Sequence, residues 1–109
     1  MVANGKFNLV NERTKQRIPN QFIILDERNI IFQSYNSMIV RINSALKKIY
    51  VYPDYNYSKT TNKYRNQFMD SQGFHNMATL KGFREALEAG KVVDNQGKTW
   101  LVKLKTENK

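Results

Sequence analysis

The sequence has no cysteine, a single histidine (His75) and only two prolines in 109 residues. Without cysteine there is no disulfide, no thiolate metal site and no cysteine nucleophile. One histidine leaves no histidine-based metal constellation, so neither a metal nor a cofactor is expected. The five glycines never gather into a loop that cradles phosphate, which removes the nucleotide-hydrolase route. No apolar run approaches the roughly 18 residues of a spanning helix, and the opening MVANGKFNLV lacks the charged-then-apolar order of a signal peptide. A cytoplasmic protein with no membrane partner is the expectation.

Acidic residues are scarce too. Nine Asp and Glu stand against 18 Lys and Arg, a formal net charge of +9. Such a balance raises the local concentration of nucleic acid, anionic membrane or an acidic protein, and charge alone does not choose among them.

What is present is a series of short apolar clusters separated by polar turns, enough for one domain with one modest core. Residues 6–104 are expected to form the ordered domain, with 105–109 a polar tail. Lys6–Val10 alternates apolar and polar, as a short strand does. The polar segment Asn11–Gln21, with Arg13, Lys15, Arg17 and Pro19, argues for a loop or loosely held arm. Gln21–Leu25 and Asn29–Gln33, with the apolar runs FIIL and IIF, lie around Asp26-Glu27-Arg28-Asn29, the best hairpin signal in the chain. Met38–Ile42 and Lys48–Tyr52 repeat the pattern, although Met38, Ile42, Ala45 and Ile49 also fit a helix across Ser37–Lys48. After Pro53, Ser58 can cap a helix running to about Met69. Thr61, Tyr64 and Phe68 would lie inward, with Lys59, Lys63 and the other basic groups outward. Thr79 to Gly90 reads as a second amphipathic helix with Leu80, Phe83 and Leu87 as its buried stripe and Gly90 as its stop. Lys91–Val93 and Thr99–Leu104 frame a closing hairpin in which Trp100 and Val102 share a side. The expected fold is α+β: a single small domain with a mainly antiparallel sheet of about five strands and two helices on one face.

No nucleophile, base and orienting group come together, so no catalytic residue is assigned. Glu85 and Glu88, three apart on the second helix, read as a solvated helix face among Lys81, Arg84 and Lys91. His75, beside Phe74 after a glycine, reads as a turn or edge residue.

A binding surface has better support. All six tyrosines fall between Tyr35 and Met69, and from Arg28 to Met69 seven Lys/Arg residues face one acid, Asp54. Tyrosines stack on exposed bases and neighbouring cations reach phosphates. In a strand Lys48, Tyr50 and Tyr52 would share one face; alternatively Tyr50 and Tyr52 pack under the following helix. Tyr55 and Tyr57 lie in a loop after a proline, where burial is hard to arrange. The candidate binding residues are Arg41, Lys47, Lys48, Tyr50, Tyr55, Tyr57, Lys59, Lys63 and Arg65, with nucleic acid the favoured partner.

The segments Ser34-Tyr35-Asn36-Ser37-Met38-Ile39 and Tyr57-Ser58-Lys59-Thr60-Thr61-Asn62-Lys63-Tyr64 resemble a pattern in small uncharacterised proteins of phages and mobile elements of low-GC Gram-positive bacteria. There a SYN-type segment precedes a strand and a YS-x-TT-x-K/R-H/Y helix start; Tyr64 stands where many members carry His. The resemblance implies a small phage protein without an assigned catalytic residue. It adds an alternative partner to nucleic acid: an acidic host or defence protein, including a CRISPR nuclease, that the chain would inhibit by contact.

Overall fold

Runs of β-branched and aromatic residues joined by tight polar turns fold back on one another as hairpins. A computed structural model describes residues 5–105. Strands β1 (Gly5–Val10), β2 (Arg17–Asp26), β3 (Asn29–Ser34), β4 (Ser37–Asn43) and β5 (Lys48–Val51) each pair antiparallel with the next. The turns between β2, β3, β4 and β5 hold Glu27, Tyr35 and Lys47 at φ of 51°, 56° and 52°. Hairpin turns of this kind need a left-handed residue to match strand twist, and here side-chain-bearing residues supply it. Helix α1 (Lys59–Ser71) and helix α2 (Leu80–Ala89) follow, each preceded by a short 3-10 turn, Pro53–Asn56 and His75–Met77. The closing hairpin β6 (Lys91–Val93) and β7 (Thr99–Leu104) then joins the same sheet.

β7 inserts between β5 and β6 and runs parallel to β5, giving the order β1-β2-β3-β4-β5-β7-β6. The sheet is therefore mixed and seven-stranded among the described residues, not the expected five or so. The two helices make a crossover long enough for a returning strand to lie parallel. Pro19 and Arg17, expected in a loop, belong to β2. The β1 register jumps between Asn8↔Phe22 and Val10↔Arg17, so Pro19 has no β1 partner and its missing N–H costs no ladder bond. The helical alternative over Ser37–Lys48 gives way to the β4–β5 hairpin. Of the expected tail, all but Lys105 lies outside the described residues.

Both helices cover one face of the sheet. Phe68 of α1 stacks on Phe32 of β3 at 5.6 Å, and Phe74, between the helices, meets Trp100 of β7 edge-on at 5.1 Å. The core under them joins Phe32, Val40, Ile42, Ile49, Val51 and Val102. Local capping supports each helix: Ser58 Oγ accepts from the Thr61 amide at 3.1 Å, and Thr79 Oγ1 from the Gly82 amide at 3.0 Å. Gly90, at φ 74°, ends α2 in the left-handed conformation that suits glycine. On α2 the fully inward residues are Phe83 and Ala86, while Leu80 and Leu87 are half-buried.

Candidate functional site

Side chains in a strand alternate between faces, so covering one face with helices leaves the other bare. Direct pairing places Lys6, Ile24, Ile31, Arg41, Tyr50 and Lys103 in one row across this open face. A flanking row holds Asn43, Lys48 and Leu101, and on the other side Phe22 pairs with Gln33 and Gln33 with Met38. The Arg41 guanidinium lies over the Tyr50 ring at 4.5 Å, and Lys105 Nζ approaches the same ring at 5.5 Å. Lys6 Nζ lies over Phe22 at 4.3 Å. Arg41 Nε is buried with no hydrogen-bond partner. Among the described strand residues Asp26, at the end of β2, is the one carboxylate the register puts on this face. The ion pair formed among the described residues, Asp70 with His75, lies on the helical side. The open face thus combines cations at its flanks, an apolar middle, and an arginine stacked on a tyrosine.

Of the residues expected to bind, Arg41, Lys48 and Tyr50 are brought together here. Tyr52 is not. It is fully buried, because β5 ends at Val51 and the Tyr52 amide bonds the Ile39 carbonyl at 3.0 Å, beside a bulge in β4. Two β4 residues, Ile39 and Val40, there oppose the single Phe32, so consecutive residues turn inward and the simple alternation fails. Lys47 sits in the β4–β5 turn with Nζ 4.7 Å from the Trp100 ring. Tyr57, Lys59 and Lys63 are exposed and form a separate group at the start of α1. Tyr55, expected in the open, is half-buried and stacks on Phe83 at 5.4 Å.

Arg65 is the clearest correction. Expected outward with the other basic groups, it is fully buried. Position 65 lies four after Thr61 and three before Phe68, on the stripe that the helical period turns inward. Its Nη1 donates to the Tyr55 carbonyl at 2.6 Å and to Asn62 Oδ1 at 2.8 Å, its Nη2 to Asn66 Oδ1 at 2.9 Å, and it covers the Phe83 ring at 4.7 Å. Burial pushes its pKa down to about 10. This guanidinium ties the Pro53–Asn56 turn to α1, and its burial keeps it from a phosphate on the surface.

Lys6, Phe22, Lys103 and Lys105 were missed. The alternation of Lys103 and Lys105 was a local signal, but nothing local ties them to Tyr50. Glu85 and Glu88 diverge: Glu85 lines an open cleft of about 450 Å³ with Asn76 and Lys91, and Glu88 a smaller hollow with Tyr55 and Arg84.

The two segments that carry the resemblance meet in space. Ser34 Oγ and Thr61 Oγ1 share a buried hydrogen bond of 2.9 Å, Ser58 Oγ donates to Thr61 Oγ1 at 3.2 Å, and Ser37 Oγ donates to Asp54 at 2.6 Å. They lock the β3–β4 turn to the start of α1. A model of a protein family of unknown function, DUF8033, matches residues 7–85, which is most of the chain. The chain belongs to this family. The DUF8033 match contains both locked segments together with Arg41 and Tyr50, and it ends within α2, before Lys103 and Lys105. No curated protein and no solved structure matches the chain.

Proposed function

We propose that this protein is a non-enzymatic binder of nucleic acid that works through its open sheet face, with Arg41, Lys48, Tyr50, Lys103 and Lys105 as the contact residues. The observation that carries this reading is the Arg41–Tyr50 stack in the middle of an uncovered sheet row, with no described carboxylate in ion pair with the guanidinium. An arginine that lies over a tyrosine and pairs with no described carboxylate keeps its charge for a phosphate, which a guanidinium recognises well. The excess of cations over acids supports the same class of partner. Tyr57, Lys59 and Lys63 then serve at most as a secondary electrostatic patch. The phage or mobile-element setting implied by the resemblance belongs to this proposal, since a small basic phage protein handling nucleic acid fits it.

The test is fluorescence anisotropy with labelled DNA and RNA at about 50 and about 200 mM salt. Four or five phosphate contacts predict an affinity that falls by an order of magnitude or more over that interval. A Lys48/Lys103/Lys105→Ala variant loses most of the binding and a Lys59/Lys63→Ala variant little of it. Absence of binding at the lower salt overturns the proposal. Tight, weakly salt-dependent binding to an acidic protein, abolished by Tyr50→Ala, would put inhibition of a host or defence protein in its place.

A further inference from the structure

Resting on that reading, we infer that the ligand of the open face is a single strand laid across the β-strands, its bases on the Ile24 and Tyr50 side chains and its phosphates on the flanking cations. Three features of the face carry this. The first is width. Lys6 on β1 and Lys103 on β7 are separated by five steps of the sheet (β1 to β2, β3, β4, β5 and β7), about 24 Å at about 4.8 Å per step. The major groove of a duplex is about 12 Å wide and admits a helix or a two-stranded ribbon, so this face cannot enter it.

The second feature is the order of side chains along the row. The cations stand at its two ends and at Arg41, while Ile24 and the almost fully buried Ile31 occupy the interval. A duplex resting on the face would set its phosphate ridges against those apolar side chains and desolvate charge without compensation. An unpaired strand has both parts: phosphates for the cations, and base faces for the apolar and aromatic ground.

The third is the Arg41–Tyr50 pair itself. The ring is flanked by Arg41 at 4.5 Å and Lys105 at 5.5 Å, and a guanidinium backed by an aromatic ring is a flat platform of the kind on which unstacked bases lie. Charge also excludes a second copy of the chain as occupant. Face-to-face association would oppose Lys6, Arg41, Lys48 and Lys103 to themselves, with Asp26 the one carboxylate on the described strands to offset them.

The experiment compares, on the full-length chain at about 50 mM salt, a labelled single strand of about 12 nucleotides, within the range of sheet-type sites, with its duplex and with an abasic backbone of the same length. The single strand is expected to bind at least about ten-fold tighter than the duplex, and loss of the bases to weaken binding by about ten-fold. Tyr50→Ala should weaken the base-bearing strand and leave the abasic strand unchanged, while Lys103→Ala weakens both; circular dichroism checks that both variants are folded. Duplex binding as tight as single-strand binding, or an abasic strand bound as well as the natural one, overturns the single-strand inference while leaving the nucleic-acid reading intact. Failure of all three ligands overturns the nucleic-acid reading itself.

Discussion

Arg65 has no solvent exposure, yet it holds three hydrogen bonds to Tyr55, Asn62 and Asn66 and lies over Phe83. Truncation removes the donors and opens a cavity at once. Arg65→Ala is expected to lower the unfolding free energy by about 2–4 kcal/mol in urea titrations. Arg65→Met keeps the apolar stem and drops the desolvated charge, so its loss should be smaller. Nucleic-acid affinity of the folded Arg65→Met variant should stay at the wild-type value, since the guanidinium faces the interior. Asp94 lies in the β6–β7 turn. Its carboxylate accepts from Trp100 Nε1 at 2.9 Å and from the Lys98 and Gln96 amides at 2.9 and 2.8 Å. The Trp100 bond above all, then the Lys98 amide, holds its pKa below the usual 3.8. A depressed carboxylate contributes stability that is complete above the ordinary value and is lost as pH falls through the depressed one. Fluorescence of Trp100, the only tryptophan, should therefore change on acidification with a midpoint below 3.8, and Asp94→Asn should abolish that step. Arg65's burial was written in the spacing from Thr61 to Phe68. Its charge and its basic neighbours argued the other way, and no rule of spacing weighs a hydrogen-bonded buried guanidinium against a solvated one.

At the scale of elements, local chemistry was a good guide. The Ser58 cap, the Gly90 stop and the hairpin around Asp26–Asn29 were all legible, and the hairpin around Asn43–Lys47 was one of two readings, because capping and turn formation involve residues within a few positions of one another. Less local matters were not. Gly82 looks like an ordinary helix residue, but a Cβ there would stand 1.9 Å from the Asn76 carbonyl oxygen. The His75–Met77 turn packs directly on the first turn of α2. Alanine raises helix propensity by about 1 kcal/mol over glycine, so propensity alone predicts a stabilised Gly82→Ala. The contact predicts the reverse: a loss of about 1–3 kcal/mol, read in thermal or urea unfolding, as the turn is pushed off the helix. A more stable variant would refute the packing argument. The bulge at Ile39 is the same kind of case. Alternation along Met38–Ile42 is broken by one extra residue, and with it the expected side-sharing of Tyr50 and Tyr52.

Across the whole molecule the cations are spread over both faces with one ion pair among the described residues, so like-charge repulsion opposes the compact state. Raising salt from about 20 to about 200 mM should therefore raise the thermal midpoint, since screening relieves repulsion and there is little ion pairing to lose. A gain of about 1 kcal/mol would read as about 4–8 °C in calorimetry for a domain of this size. The same salt should weaken nucleic-acid binding, so the two effects separate repulsion within the fold from attraction to a ligand. The amino-acid sequence by itself determined the helices and their ends, most of the strand segments though neither their number in the sheet nor the Arg17 start of β2, the charge, and the enrichment of tyrosine and cation around residues 35–69, because periods of two and 3.6 and turn chemistry act between near neighbours. Only the tertiary structure decided which face stays bare, that Lys103 and Lys105 join Tyr50, and that Tyr52 and Arg65 do not. Those outcomes turn on the parallel β5–β7 pairing and the packing of two helices on one side, contacts between residues far apart in the chain whose register no local pattern records.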